Sequence, residues 1–86
     1  MTRSSTEVFT SASAETITIR RADRADALAL RRLAERDSTS LEAEPYLLAE
    51  VSGTPRAALG LQRGAVIADP FRPTAHLVTM LELAGR

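Results

Sequence analysis

The segment that decides the fold is residues 46–84, which read YLLAEVSGTPRAALGLQRGAVIADPFRPTAHLVTMLELA. Alternating or continuous apolar stretches are separated here by turn residues, and an abrupt Asp-Pro turn precedes a last amphipathic stretch. This order predicts three short strands and then a helix, at residues 46–51, 56–61, 65–68 and 74–84. A helix N-terminus presents unpaired N–H groups, so any anion-binding chemistry is expected at the turn before that helix.

Two further elements are predicted ahead of this segment. Residues 16–20 alternate Thr and Ile, which is typical of a half-buried strand. Asp23 is placed to cap a helix over about 24–36. Its apolar stripe is Ala27, Leu30, Leu33 and Ala34. Leu28 lies off this stripe and is either exposed or part of a second contact. The loop over 36–45 includes a candidate helical turn at 41–44.

Residues 1–14 are rich in Ser and Thr, and Val8 and Phe9 are their only large apolar residues apart from Met1. So little apolar surface does not offset the entropy of ordering, which predicts a flexible tail. The alternative is a short added strand or a partner-binding peptide that uses Val8 and Phe9. Residues 15–86 are then a single small α/β (α+β) domain of order β-α-β-β-β-α, with a mainly antiparallel four-stranded sheet.

The composition excludes several classes of function. A chain of 86 residues buries a modest core, so a stabilising partner chain is a fair expectation. Cysteine is absent and His76 is the single histidine, which argues against a metal site. Eleven Arg balance eleven acidic residues, which argues against a nucleic-acid binder. No apolar run approaches a membrane span, residues 1–14 lack a secretory signal, and the expected location is cytoplasmic.

Three local patterns occur in an order that is similar to a known family. They are Ile19-Arg20-Arg21-Ala22-Asp23 followed by Asp26, Leu48-Ala49-Glu50-Val51-Ser52-Gly53 followed by Ala58-Leu59-Gly60, and Val66-Ile67-Ala68-Asp69-Pro70-Phe71-Arg72. Over residues 16–84 this order resembles the first half of the GNAT acetyltransferase superfamily. The resemblance implies a GNAT-like half domain whose last turn and helix approach acetyl-CoA.

The same turn departs from the family pattern. In the family a glycine loop follows the arginine, and its backbone N–H groups close on the cofactor pyrophosphate. Here Arg72 is followed by Pro73, which has no N–H, and then by Thr74, Ala75 and His76. The fifth strand of the family, and the later helix that often carries a Tyr general acid, are not expected in this chain. The resemblance therefore leaves Arg72, Thr74 and Ala75 as the only cofactor-binding candidates, with acetyl-CoA as the cofactor only if the protein is an enzyme.

Each remaining candidate residue has a structural alternative. Arg72 either holds a phosphate or is a surface Arg near Asp69. Asp69 is either a general base or a turn residue before Pro70. His76 is either a proton shuttle or a residue on the flank of the helix. Glu42 and Glu44 either recognise a cation or lie in a solvated loop. Glu50 is expected to be solvated, Gly60 leaves room for backbone or ligand, and no catalytic residue is predicted.

The favoured function is a non-catalytic GNAT-like module that acts through protein association. The alternative is an acetyl-CoA-dependent N-acetyltransferase completed by a second chain. The strand over 65–68 is apolar and leaves one edge without a partner in the chain, and the helix over 74–84 is apolar around more than half its circumference. Together they predict a homodimer or heterodimer through these two elements, with no nucleic acid, membrane or metal partner.

Overall fold

A computed structural model describes residues 7–10, 16–71 and 73–85 of the chain. In this part of the chain the strands form one antiparallel sheet in the order β1-β2-β3-β4-β5. The strands are β1 Glu7–Thr10, β2 Thr16–Arg21, β3 Tyr46–Val51, β4 Thr54–Gly60 and β5 Val66–Ala68; a 3-10 turn Arg24–Asp26 leads into helix α1 Ala27–Arg36, and α2 is Ala75–Ala84. The four predicted strands, their antiparallel arrangement and the two helices are confirmed.

Strand β1 lies inside the segment that was predicted to be a flexible tail. Glu7–Thr10 pairs antiparallel with β2, with Phe9 opposite Ile17 and Glu7 opposite Ile19. For these four residues the structure therefore shows the added strand that was the alternative. The rest of the predicted tail, residues 1–6 and 11–14, lies outside the described residues.

The two helices cover opposite faces of the sheet, and each face has its own core. The face under α2 contains Ile17, Ile19, Leu47, Ala49, Ala57, Leu59, Leu77 and Leu81. The face under α1 contains Leu30, Leu33, Ala34, Tyr46, Leu48, Ala58 and Ile67. Because β3 and β4 are buried on both faces, most of their residues are apolar rather than alternating with polar ones. The faces of β3 and β4 that contain Leu47 and Leu59 were predicted to point inward, and both lie under α2.

The connection between β3 and β4 is a tight turn at Ser52 and Gly53. Both residues have positive φ, 50° and 82°. Two successive residues in the left-handed region make the type of turn whose twist matches that of the flanking strands. The turn brings Val51 opposite Thr54 and fixes the register of the hairpin. It also places polar side chains at one end of the sheet, close to the start of α2.

Several details of the predicted elements are wrong. Ala27 is exposed rather than part of the buried stripe of α1, and no helical turn forms at 41–44. Leu28 is 54% exposed, which selects exposure from its two alternatives. Helix α2 begins at Ala75, one residue later than predicted, and ends before Gly85 as predicted.

None of the helices in the described residues is long and apolar enough to cross a membrane.

Candidate functional site

Arg20 joins three elements through two carboxylates. Its Nη1 and Nη2 atoms donate to the two Asp26 carboxylate oxygens at 2.8 and 2.7 Å, and its Nε and Nη2 atoms donate to those of Glu50 at 3.2 Å each. The strand β2, the turn before α1 and the strand β3 are thereby tied together. The prediction that Glu50 is solvated is wrong, because its carboxylate accepts two hydrogen bonds from the Arg20 guanidinium.

Asp26 has a second task in the same cluster. Its side chain accepts the backbone N–H of Asp23 at 2.7 Å, while the Asp23 side chain accepts the N–H of Ala25 at 2.8 Å. This reciprocal capping fixes the start of the helix. Hydrogen bonds from Arg20 lower the pKa of Asp26 to about 2. Asp26 is therefore ionised at neutral pH, which suits its ion pair with Arg20 and its cap on the turn before α1.

Asp69 is the other buried carboxylate, with 2% of its surface exposed. Its Oδ1 atom accepts the N–H of Phe71 at 2.9 Å, which is the turn chemistry expected of Asp before Pro. Its Oδ2 atom lies 3.3 Å from Nη1 of Arg56 and 3.5 Å from Nη1 of Arg36. The bond from Phe71 and the two arginines lower the pKa of Asp69. Asp69 thus makes the turn contact that was one of its two alternatives.

The acidic loop before β3 is held by contacts within the chain. Glu44 Oε1 accepts the backbone N–H groups of Gln62 and Arg63, each at 2.9 Å. Glu42 lies 3.3 Å from the Arg63 guanidinium. A Cβ atom on Gly60 would lie 2.6 Å from the Glu44 carboxylate. The space that Gly60 was predicted to leave is therefore filled by Glu44, and both glutamates bind groups of the chain itself.

A cleft of about 360 Å³ opens beside the N-terminus of α2. Its lining comes from the β3–β4 hairpin and the start of α2: Val51, Ser52, Thr54, Arg56, Pro73, Thr74, His76 and Leu77. Of the three cofactor-binding candidates, Thr74 lines this cleft and Ala75 is the exposed first residue of α2. Arg72 lies outside the described residues. The Thr74 side chain makes no capping hydrogen bond and therefore does not satisfy the first N–H groups of the helix.

A second, smaller cleft of about 180 Å³ lies between α1 and the same hairpin. Its lining is Ala29, Arg32, Leu33, Arg36, Thr54 and Pro55. The sequence patterns did not identify this group, because neither Arg32 nor Arg36 belongs to the apolar stripe that defined the helix. The available signal was the spacing of Arg32 and Arg36, since residues four apart in a helix point the same way.

Two large apolar side chains next to α2 are open to solvent. Phe71, in the turn before the helix, is 78% exposed, and Leu83, in its last turn, is 60% exposed. Strand β5 lies at the edge of the sheet, as predicted. Within the described residues no strand pairs with this edge, but the Asp37 carboxylate accepts the outward N–H of Ala68 at 3.3 Å.

Within residues 7–10, 16–71 and 73–85, no three His, Asp or Glu side chains are grouped to hold a metal ion. Comparison with known proteins adds no family to these observations. No protein-family model matches the chain, and comparison with curated proteins and with solved structures gives no match.

Proposed function

We propose that this GNAT-like domain acts without catalysis, in the cytoplasm, through protein association. The surface that carries the proposal consists of the exposed Phe71, the outer side of α2 with Leu83, and the adjoining edge of β5. The observation behind it is the exposure of two large apolar side chains before and at the end of one helix. Burying such side chains against a partner stabilises a complex by about 25 cal/mol per Å².

The hydrogen bonds and ion pairs of the buried acidic residues support a role without catalysis. The two buried carboxylates, Asp26 and Asp69, are both engaged by arginines and backbone N–H groups. A group held ionised in this way is a poor general base, because its pKa lies far below neutral pH. The order of elements from β2 to α2 supports the GNAT-like part of the proposal, since it is the order expected of the first half of such a domain.

The test is the oligomeric state of the protein and of a pair of matched variants. We expect wild-type protein at micromolar concentration to scatter light as a dimer, because a two-fold contact lets one patch meet its own copy. Leu83→Glu should weaken the dimer at least about tenfold, since it places a charge in an apolar contact. Leu28→Glu is the control, because Leu28 is a similarly exposed leucine on α1, over the opposite face of the sheet.

A monomeric mass for the wild type over this range would contradict the homodimer. An equal loss of dimer in both variants would show that association does not use α2. The other form of the proposal is a heterodimer. It predicts that the partner chain slows backbone hydrogen exchange and side-chain labelling by solvent radicals at Leu83 and not at Leu28.

The alternative function is an acetyl-CoA-dependent N-acetyltransferase completed by a second chain. The cleft beside the N-terminus of α2 favours it, because Thr74 lines that cleft and N–H groups at a helix N-terminus attract anions. Pro73 argues against it, since a proline supplies no N–H to a pyrophosphate.

A further inference from the structure

We infer that the cleft formed by Arg32, Arg36 and Thr54 binds a side-chain carboxylate of an acidic peptide segment. This site is distinct from the surface around α2, and it lies on the side of the sheet that α1 covers. It is therefore a second binding site, and its test does not depend on whether the proposed dimer forms.

The charges around the cleft are unequal. Arg36 and Arg56 share one carboxylate, Asp69, whose Oδ2 atom lies 3.5 and 3.3 Å from them. No carboxylate in the described residues lies within ion-pair distance of Arg32. Arg32 therefore brings to the cleft a positive charge that no ion pair within the described residues neutralises.

The shape and lining of the cleft select the kind of anion. Its volume of about 180 Å³ suits one side chain rather than a nucleotide. Ala29, Leu33 and Pro55 give it apolar walls, and Thr54 adds a hydroxyl group. A carboxylate on an apolar stem matches this combination, because its methylene groups contact the walls while its oxygens accept from the guanidinium groups. A phosphate dianion needs more positive charge than the one that is left uncompensated.

Arg32 supplies the specific part of the recognition. Arg36 divides its charge with Asp69, and half of its side chain is exposed, so its contribution is shared. A planar guanidinium pairs with a carboxylate through two parallel hydrogen bonds, which a lysine ammonium cannot reproduce. Replacing Arg32 should therefore remove most of the binding, and Arg32→Lys should restore only part of it.

The experiment is a titration of the full chain into a fluorescein-labelled short peptide of alternating glutamate and leucine, followed by anisotropy. We expect saturable binding that weakens about tenfold in Arg32→Glu. The matched control is Arg31→Glu, which makes the same charge change one residue earlier on α1, outside the cleft. That variant should bind within about twofold of wild type, after the general charge effect is screened by salt.

Four results would overturn the assignment. They are the absence of saturable binding, equal weakening by both variants, equal binding of the matching glutamine peptide, and displacement of the peptide by inorganic phosphate at lower concentration than by acetate. The last would reassign the cleft to phosphate. Shifts of the Ala29 and Thr54 amide resonances on addition of peptide should identify the cleft directly, and both variants should keep the wild-type melting temperature because the two arginines are exposed.

Discussion

At the residue scale, the ion pairs of Arg20 with Asp26 and Glu50 show what two acidic residues of the sequence do in the folded chain. Asp23 and Asp26 are recognisable as helix-start residues from their spacing alone. The partner of Glu50 is not recognisable in this way, because Glu50 and Arg20 are 30 residues apart and meet only when β2 pairs with β3. Glu50 therefore appeared to be a solvated residue until the register of the sheet was known.

This cluster predicts how stability depends on pH. The pKa of Asp26 is lowered from 3.8 to about 2 in the folded protein, so its contribution is complete above pH 4 and is lost as the pH falls towards 2. The free energy of unfolding should fall by about 1 to 2 kcal/mol over this window. Urea titrations at pH 5 and pH 2.5 measure the difference.

Asp26→Asn is the matched variant for this measurement. It should be less stable than wild type at pH 5, because an amide binds Arg20 more weakly than a carboxylate does. It should also show a smaller loss on acidification, and Asp69, whose pKa is lowered too, contributes to the loss that remains. An unchanged slope in the variant would show that Asp26 does not carry the pH dependence.

At the element scale, most strands and both helices could be predicted because each has a local signature. The alternation of 16–20 and the apolar run of 65–68 are visible in the sequence itself. Strand β1 was predicted only as an alternative, because Glu7–Thr10 owes its structure to backbone pairing with the edge of β2 and not to its composition. The clefts were missed for a related reason, since Arg32 and Thr54 come together only through the packing of α1 against β4.

Strand β1 leads to a prediction about backbone protection. Two hydrogen bonds fix the pattern between β2 and β3: the Ser52 N–H donates to the Thr16 carbonyl, and the Ala22 N–H donates to the Tyr46 carbonyl. Alternation then directs the N–H groups of Ile17 and Ile19 towards β1, and those of Thr18 and Arg20 towards β3.

Deleting residues 1–10 should therefore expose one set of amides and spare the other. Hydrogen exchange should accelerate at Ile17 and Ile19 and stay slow at Thr18 and Arg20, which are the control within the same strand. The melting temperature should fall by several degrees, at about 4–8 °C per kcal/mol for a domain of this size. Unchanged exchange at Ile17 would mean that β1 does not pair in solution.

At the scale of the whole molecule, a sheet with one helix on each face leaves its two ends and two edges for binding. The hairpin end carries both clefts, which share Thr54. For acetyl-CoA we expect no tight binding by the isolated protein, because Pro73 and the absence of the glycine loop take away the N–H groups that hold the pyrophosphate in the family that the sequence resembles. A ligand at 100 times its dissociation constant would stabilise the fold by about 2.7 kcal/mol, which thermal unfolding detects easily.

The melting temperature with and without excess acetyl-CoA is the measurement. A clear rise that disappears in Arg72→Ala would favour the acetyltransferase and count against the non-catalytic function. A rise that persists in that variant would place the ligand elsewhere on the molecule.

The hydrogen bond from Ala68 to Asp37 affects whether copies of this protein can join edge to edge into an open-ended fibre. The sheet has β1 at one edge and β5 at the other, so joining these unlike edges from copy to copy would build an endless fibre. Strand β5 has only three residues, and one of its outward N–H groups is already occupied by Asp37. A short edge with an occupied donor is a poor template for the next strand. Asp37 thereby acts against polymerisation, and removing its carboxylate should make the protein more prone to form fibrils.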